Sequence, residues 1–474
     1  MRLLATDGYK FSMAEAGWPL RIETFHYAHR KGGPAVVPFD VKEEIEKLLP
    51  VVANDDYAYL ATHEYEMGAA FRAGILSREL KVRALPKGTW FLPREPVFAL
   101  TGPSALVSWL EPLVLQLHYR IQVATLAATD REALAREVAV VTCPEQKELV
   151  RATLDSVGVH APPIAVDSDG YFERVKGVAT ELGSIVGDPS RIFEVGLRAA
   201  TCPEQHRIAL LGCQAAGIKR TSHVAGARDL GMIPVGTMGH EHVQRYGSDE
   251  AAFRAMHDRR PGRSSYLLDT FDTMRSGIPA AFLLMEEDRR RGDSIRYDSG
   301  DKEAQYRFAA AEAVKRGLRP IQILEDGFDA ALTQRFEALR AEIGWGPDEQ
   351  FYGYGGYLVA KTSGTALTRD HVCAVYKLSQ SATSPTMKFG DEAGHGKESA
   401  PGVPVVFRKV RGDGPLGLVG QAFESPPPGY VQITDGEPRR ERLAPEQAAV
   451  ALSEETQRLA RTLRARRDEL THRR

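Results

Sequence analysis

The amino-acid sequence predicts an α/β fold, with a (β/α) barrel in residues 126–364 and a second α/β domain in residues 1–125. Between about 190 and 364, short apolar runs alternate with helical stretches such as 302–316 and 329–343. Strands separated by helices imply a parallel sheet, and this many units favour closure into a barrel. Each run stops at polar or glycine-rich residues, which is typical of the ligand-binding mouth of such a barrel.

The segments on either side of the barrel pattern are shorter and more varied. A β-like run at 90–93 precedes an apolar helical stretch at 105–117, which predicts the N-terminal α/β domain. Beyond residue 370 β-like pieces return, and a final amphipathic helix with a solvated basic face is expected over 445–470. The pentapeptide T-C-P-E-Q occurs at 142–146 and 201–205, but the similarity stops there, which favours coincidence.

The composition indicates an ordinary globular protein. The 474 residues are 43% hydrophobic and 26% charged, enough to bury one large core or two moderate ones. A formal net charge of −2 predicts no binding of nucleic acid or of an anionic membrane. No run approaches the ~20 apolar residues of a membrane span, and no signal-peptide pattern is present. The four cysteines show no C-x-x-C pairing, so we expect reduced thiols and a cytoplasmic location.

Chemistry is expected at the ends of the predicted barrel strands. His240 follows an apolar run and small residues, and this position favours phosphate handling over the common role of satisfying local hydrogen bonds. The nearby histidines show no metal-ligand spacing, so no metal site held by the protein is predicted. Asp298 and Asp301 place two carboxylates around a small pair, which suits a Mg²⁺-bound, hydroxyl-rich ligand. Arg296 would share a strand face with Asp298.

A glycine cluster at 353–356 follows the last apolar run of the barrel pattern. Without a Cβ, its backbone N–H groups can approach a phosphate closely. A tight turn would use the same residues, so the cluster supports a phosphate site only together with the other motifs.

Four sequence segments stand in an order found in one enzyme family. They are T-D-G-Y-K-F-S-M at 6–13, G-T-M-G-H-E-H-V at 236–243, L-L-D-T-F-D-T at 267–273 and S-I-R-Y-D-S-G-D at 294–301. These are similar to the T-D-x-Y-x-x-S/T-M, G-T-M/F-A-H, L-V-D-T-Y-D-T and V-R-x-D-S-G-D segments of the nicotinate phosphoribosyltransferases and their nicotinamide-using relatives. The matches extend from residue 6 to about 388.

The resemblance implies a type II phosphoribosyltransferase. Its barrel would be irregular, and residues 365–474 would complete the N-terminal domain with C-terminal strands and a helix. Residues 140–190 resemble an insertion. The implied reaction joins nicotinate to phosphoribosyl pyrophosphate, giving nicotinate mononucleotide and pyrophosphate in NAD biosynthesis or salvage, with Mg²⁺ and with hydrolysis of ATP. A homodimer with sites at the subunit interface is also implied.

The resemblance also implies roles for single residues. His240 matches the histidine that ATP transiently phosphorylates, while Arg296 and Asp298 would bind the ribose and orient the base, with Asp301 also contacting substrate. Gly327, Gly355 and Gly356 would accept the 5′-phosphate. The remaining implied contacts are Arg198 near the pyridine carboxylate, Tyr9 stacked on the ring from the partner subunit, and Arg30, Arg369 and Lys377 on pyrophosphate or nucleotide phosphates. Simple interface packing is the alternative for Tyr9, and solvated surface charge is the alternative for the last three.

The choice of base depends on Ser222. Nicotinamide-using relatives have an aspartate at this position, which would repel a pyridine carboxylate, whereas serine tolerates it, so nicotinate is expected. Val195 replaces the family's ring-stacking phenylalanine, and Lys219 and Arg220 are additions. A nicotinamide or other-base enzyme therefore stays open as an alternative. A non-catalytic phosphoribosyl-binding barrel and an unrelated barrel enzyme are further alternatives, which the ordered motifs disfavour.

Overall fold

The computed structural model describes residues 1–289, 292–389, 398–447 and 449–472. Its N-terminal region is a mixed α/β unit with its own hydrophobic core. The elements of this region are α1 (Tyr9–Glu15), β1 (Ile22–His29), β2 (Ala35–Val36), α2 (Val41–Leu48), α3 (Asp56–Thr62), α4 (Ala69–Ile75), β3 (Lys81–Ala84), β4 (Trp90–Phe91), β5 (Pro96–Pro103), α5 (Ser104–Trp109), α6 (Glu111–Thr129) and α7 (Arg131–Val138).

The central region alternates strands and helices around a second large core. Its elements are β6 (Val140–Val141), α8 (Pro144–Ser156), β7 (Ala165–Val166), α9 (Ser168–Val186), β8 (Ile192–Glu194), α10 (Pro203–Ala215), β9 (Arg220–Thr221), α11 (Val224–Leu230), β10 (Ile233–Pro234), α12 (His240–Tyr246), α13 (Asp249–Arg259), β11 (Ser265–Leu267), α14 (Ile278–Asp288), β12 (Ser294–Tyr297), α15 (Lys302–Arg316), β13 (Ile321–Leu324), α16 (Ala330–Ile343), β14 (Gln350–Tyr354) and α17 (Gly356–Val359).

Part of the C-terminal region returns to the N-terminal unit, while the final helix packs against the core of the barrel. Its elements are α18 (Arg369–Val372), β15 (Ala374–Ser381), β16 (Ser384–Pro385), β17 (Pro404–Lys409), β18 (Gly417–Gln421), β19 (Tyr430–Gln432), β20 (Val450–Leu452) and α19 (Glu454–His472). The final helix begins at Glu454 and not near residue 445 as expected, because β20 first pairs with β18.

The central strands form one parallel, seven-stranded sheet in the order β10-β9-β8-β14-β13-β12-β11. Because β14 pairs with β8, the sheet curls, and its two edges are β10 and β11, which are consecutive in the chain. The predicted α/β barrel is therefore confirmed as a curled sheet that stays open at this point. Helices α12 and α13 connect the two edges, and α12 begins at His240.

The N-terminal strands form a five-stranded sheet in the order β16-β15-β1-β5-β3. Strand β15 runs antiparallel to β1 along almost its whole length, from Glu23 opposite Ser381 to His29 opposite Ala374. The C-terminal strands β15 and β16 thus extend a sheet whose other strands come from the first 103 residues.

Residues 140–190 divide into two parts. Strands β6 and β7 form a separate two-stranded parallel sheet, and α8 packs against α6. Helix α9 packs against α10 and α16, so it belongs to the helical layer around the curled sheet. In the described residues, no helix is long and apolar enough to cross a membrane.

The repeated pentapeptide is not a structural coincidence. The backbone N–H of Glu145 donates to the Glu204 carboxylate and the N–H of Glu204 donates to the Glu145 carboxylate, both over 2.7 Å. The thiol sulfurs of Cys143 and Cys202 lie 3.5 Å from each other, and both residues are buried. The two copies therefore cap the N-termini of α8 and α10 reciprocally, supplying acceptors that the first turn of a helix lacks.

A close backbone contact joins the start of α1 to the end of β10. A Cβ on Gly236 would lie 2.5 Å from the carbonyl carbon of Gly8 and from the nitrogen of Tyr9. A Cβ on Gly8 would lie 2.4 Å from the carbonyl oxygen of Val235. Only glycine fits at these two positions. This backbone contact between Gly8 and Gly236 therefore fixes Asp7 and Tyr9 against the barrel.

We expect Gly236→Ala to destabilise the protein by about 1–3 kcal/mol, because the backbone segments at Gly8 and Gly236 cannot separate without losing packing. Urea unfolding followed by circular dichroism measures this change. Gly177→Ala is the matched control, since a Cβ at this exposed position in α9 meets nothing within 4 Å. The control should be neutral or slightly stabilising. Equal free energies of unfolding for the two variants would show that the contact between Gly8 and Gly236 is not tightly packed.

Candidate active site

A cavity of about 190 Å³ lies where the carboxyl ends of the barrel strands meet α1, α6 and β15. A second cavity of about 500 Å³ shares Arg198, Asp298 and Arg369 with it, and a third of about 260 Å³ shares Tyr9, Arg198 and Arg296. The lining of the first cavity includes Tyr9, Arg30, Glu111, Arg198, His240, Arg296, Asp298, Arg369, Lys377 and Lys388.

His240, Arg296 and Asp298, the predicted catalytic residues, are in direct contact. The Nε2 atom of His240 lies 3.4 Å from Oδ2 of Asp298, and the Arg296 guanidinium donates to Oδ1 of Asp298 over 3.0 Å. Arg296 also donates to the Thr237 hydroxyl over 2.6 Å and forms an ion pair with Glu325 at 3.1 Å. These contacts fix the guanidinium of Arg296. The carboxylate of Asp298 lies between this guanidinium and the imidazole of His240.

The protonation states within this cluster follow from its burial and its charges. Burial and the charge of Lys388 lower the pKa of His240, although Asp269 and Asp298 oppose the change. Burial opposes ionisation of Asp298, but the hydrogen bond from His240 and the charges of Arg296 and Lys388 outweigh it. They hold the pKa of Asp298 well below its usual range. A neutral imidazole therefore lies beside an ionised carboxylate.

Asp269 joins the cluster from the end of β11. Its Oδ2 accepts a hydrogen bond from Ser299 over 2.5 Å, and its Oδ1 lies 3.7 Å from Nε2 of His240. That Oδ1 is buried and has no hydrogen-bond partner among the residues that the structure describes. His240, Asp269 and Asp298 offer ligand atoms within 4.8 Å of one another, a grouping that no sequence spacing had indicated.

This donor set fits Mg²⁺ in part. Carboxylate oxygens are the ligands that Mg²⁺ prefers, and Asp269 and Asp298 supply two. One of them comes from an oxygen without a hydrogen-bond partner in the described part of the chain. Imidazole is a poor ligand for a hard cation. The residues therefore suit a hydrated Mg²⁺ held by one or two carboxylates together with substrate phosphates.

The predicted glycines line the second cavity. Gly327, Gly355 and Gly356 border it, together with Asp326 and Lys361. Gly327 has a φ of +73°, and a Cβ on Gly356 would lie 2.9 Å from the carboxylate of Asp370. Since side chains would be strained or crowded at these two positions, the backbone itself lines this part of the cavity.

The third cavity combines aromatic, cationic and hydroxyl groups. Tyr9, Phe193, Arg198 and Ser222 line it. The guanidinium of Arg198 lies 5.7 Å from the centre of the Tyr9 ring, and its Nε lies 3.8 Å from Asp7. Val195 lines this cavity too, and Phe193 brings an aromatic ring to the region where the family's phenylalanine is missing. Tyr9 reaches the cavity from the same chain.

Cationic side chains gather on the side of the first cavity formed by β15. Lys377 and Lys388 approach it with Arg30 and Arg369. Burial lowers the pKa of Lys377 to about 8, although Glu111, 3.7 Å away, raises it. Lys388 lies 3.9 Å from Asp298. A phosphate entering here would meet cations from three separate segments of the chain.

One predicted residue, Asp301, lies outside the linings of the three cavities. It is exposed and accepts a hydrogen bond from the Ala304 backbone N–H as the N-cap of α15. Sequence reasoning did not identify Asp269, Lys388 or Glu111 as site residues. Asp269 could have been identified from the sequence, because it ends an apolar run in the matched segment 267–273.

Comparisons with known proteins show that the chain is similar to several nicotinate phosphoribosyltransferases. No family model matches the chain. A nicotinate phosphoribosyltransferase of Mycobacterium tuberculosis is 32% identical over 198 residues, 41% of this chain and 39% of that protein. The Bos taurus nicotinate phosphoribosyltransferase is 27% identical over 366 residues, 73% of this chain and 63% of that protein. The aligned part of this chain thus spans less than two thirds of the length of either relative.

Solved structures share the fold. A nicotinate phosphoribosyltransferase from Porphyromonas gingivalis superimposes with a TM-score of 0.59 at 18% identity, covering 84% of this chain and 95% of that one. One from Vibrio cholerae gives 0.56 at 17% identity, covering 82% and 88%. The sequence relatives and the shared architecture agree, so the chain is similar to the nicotinate phosphoribosyltransferases in sequence and has their fold.

Proposed function

We propose that the chain transfers the phosphoribosyl group of phosphoribosyl pyrophosphate to nicotinate, giving nicotinate mononucleotide and pyrophosphate in NAD biosynthesis or salvage. One observation carries the proposal. Asp298 borders both the cation-lined cavity and the glycine-lined cavity. A ribose held at Asp298 would therefore have an anion site on each side, as a sugar with a 5′-phosphate and a 1-pyrophosphate requires.

The proposed transfer breaks the bond between ribose C1′ and pyrophosphate and forms a bond from C1′ to the base nitrogen. The ionised Asp298 would stabilise positive charge that develops on the ribose. Arg30, Arg369, Lys377 and Lys388 would hold the leaving pyrophosphate. Bound Mg²⁺ would neutralise part of the pyrophosphate charge, and Asp269 and Asp298 are the residues that would hold it.

The proposal includes coupling to ATP through His240. Its lowered pKa keeps one ring nitrogen unprotonated, which a phosphoryl acceptor needs. The γ-phosphoryl group would move from ATP to this nitrogen, leaving ADP, and water would later release it as phosphate. While present, the phosphoryl group would add negative charge beside the cationic side of the cavity.

Assembly and location complete the proposal. We infer a homodimer with sites at the subunit interface from the family resemblance, and a cytoplasmic location from the cysteine pattern. Tyr9 lines the cavity of its own chain, so a partner would add to a site that one chain already builds. The cluster of His240, Asp269 and Asp298 disfavours a non-catalytic binding barrel, because such a barrel has no need for it.

The function is tested by measuring nicotinate mononucleotide and pyrophosphate after mixing the protein with nicotinate, phosphoribosyl pyrophosphate and Mg²⁺, with and without ATP. We expect equal amounts of the two products and a higher rate with ATP. Omitting nicotinate is the control for simple hydrolysis. Pyrophosphate release that does not depend on any pyridine base would contradict the proposal.

His240→Ala should abolish the stimulation by ATP while some ATP-independent transfer persists, because Asp298 and the phosphate sites stay intact. ADP formation and mononucleotide formation are measured in the same reaction. His242→Ala changes a histidine on the same helix that does not line the cavity, and it should keep the stimulation. Unchanged ATP stimulation in His240→Ala would remove this residue from the coupling mechanism.

The KM for phosphoribosyl pyrophosphate should rise as the pH passes about 8, because Lys377, whose pKa lies near this value, then loses its charge. Steady-state kinetics between pH 7 and 9 give the profile. In Lys377→Arg the guanidinium keeps its charge, so the rise should disappear. A rise of the same size in the variant would assign the titration to another group.

A further inference from the structure

Arg467 of the final helix, α19, contacts two chain segments that reach the active site. Its Nε donates to the carbonyl oxygen of Phe271 over 2.8 Å, and its guanidinium carbon lies 5.6 Å from the centre of the Phe389 ring. The rings of Phe271 and Phe389 contact each other with their centres 5.8 Å apart, and both side chains are buried. One arginine therefore joins a segment of the barrel to a segment that follows β16.

Each of the two aromatic residues stands close in sequence to a residue of the active site. Phe271 comes two residues after Asp269. Phe389 directly follows Lys388, whose Nζ lies 3.9 Å from Oδ2 of Asp298 on the cationic side of the first cavity. A contact that holds Phe271 against Phe389 therefore also sets the distance between the backbone of Lys388 and the strand end at Asp269.

Helix α19 does not depend on Arg467 for its place on the barrel. Ala460, Leu463 and Leu470 lie on the same helix face as Arg467, at spacings of three and four residues. Ala460 is buried in the barrel core, and the two leucines pack against this core. Removing the guanidinium of Arg467 therefore leaves the apolar contacts that dock the helix.

A second arginine of α19 supports the same region. Arg464 donates to both carboxylate oxygens of Glu398, over 3.0 and 2.5 Å. Ser399, the residue after Glu398, accepts a hydrogen bond from the backbone N–H of Lys388 over 3.0 Å. The helix thus supports the backbone of Lys388 from two directions, through Phe389 and through the segment at Glu398.

Lysine gains from such support because its ammonium group lies at the end of a flexible four-carbon stem. The side chain of Lys388 is only 9% exposed, so its stem is already ordered within the site. An anion that meets a preorganised cation loses no affinity to the ordering of that side chain. The position of the Lys388 backbone therefore affects how tightly the cavity binds an anion.

We propose that Arg467 is a positioning residue, which holds Phe389 against Phe271 so that Lys388 stays preorganised for the pyrophosphate group of the substrate. This inference rests on the proposed phosphoribosyl transfer and adds a residue of the C-terminal helix to it. Arg467 lines none of the three cavities, so it acts on the substrate only through the residues that it contacts.

The first test compares Arg467→Leu with the unaltered protein. Leucine keeps an apolar side chain on the docked face but removes the donor to Phe271 and the charge near Phe389. The KM for phosphoribosyl pyrophosphate should rise about tenfold, as for the loss of one charged hydrogen bond, while the KM for nicotinate stays unchanged. Isothermal titration calorimetry with inorganic pyrophosphate and Mg²⁺ should show the same loss without any turnover. Unchanged affinity for pyrophosphate would overturn the proposal.

Two further variants separate positioning from the charge of the helix. Arg467→Lys keeps a donor and a positive charge at the same position, so it should bind pyrophosphate more tightly than Arg467→Leu. Arg461→Leu removes a charge from an exposed position of the same helix and should keep the affinity of the unaltered protein. Urea unfolding of each variant checks that the fold is intact. Equal losses of affinity in Arg467→Leu and Arg461→Leu would contradict positioning by Arg467.

A double-mutant cycle tests the route through Lys388. Lys388→Met removes the ammonium group and keeps an unbranched stem. In this background Arg467→Leu should leave the affinity for pyrophosphate unaltered, because the group that Arg467 positions is absent. A loss of equal size in both backgrounds would contradict action through Lys388.

The activity of the unaltered protein separates this inference from the proposed function. Absence of phosphoribosyl transfer to nicotinate by that protein would mean that the proposed function has failed. Transfer by that protein, together with a pyrophosphate affinity that Arg467→Leu leaves unchanged, would mean that only this inference has failed.

Discussion

A buried ion network centred on Lys10 holds the two halves of the site together. Its ammonium group lies 2.6 Å from Glu111 of α6 and 3.1 Å from Glu241 of α12, and all three side chains are nearly inaccessible to solvent. An unpaired charge in such a position costs several kcal/mol, so the three elements must stay in register. Helix α1 follows Asp7 and begins at Tyr9, while α12 begins at His240. The network therefore fixes the base site relative to the reacting cluster.

The sequence predicted which residues would lie together at the strand ends, and the structure shows that proximity. His240, Arg296 and Asp298 could be expected together because the carboxyl ends of parallel strands meet at one edge of a sheet. Contacts such as Lys10 with Glu111, 101 residues apart, depend on how two domains pack, and no local pattern encodes them. Asp301 is the N-cap of α15, a role that an aspartate after a strand serves equally well.

The charges around the reacting cluster alternate in sign. Lys388, Asp298, Arg296 and Glu325 form a chain of ion pairs, so each charge is compensated without a ligand. Oδ1 of Asp269 differs, because it is buried beside His240 and no described residue forms a hydrogen bond with it. A site with one oxygen left unsatisfied is prepared for a cation or a donor that arrives with the substrate.

A crystal structure with nicotinate, Mg²⁺ and a non-hydrolysable analogue of phosphoribosyl pyrophosphate tests most directly whether these cavities form one phosphoribosyl site. We expect the 5′-phosphate beside Gly327, Gly355 and Gly356, the ribose hydroxyls at Asp298, and the pyrophosphate group among Lys377, Lys388 and Arg369. The pyridine ring should lie next to Tyr9 of the same chain. Phosphates bound away from the glycine cavity, or a ribose that does not reach Asp298, would contradict the account.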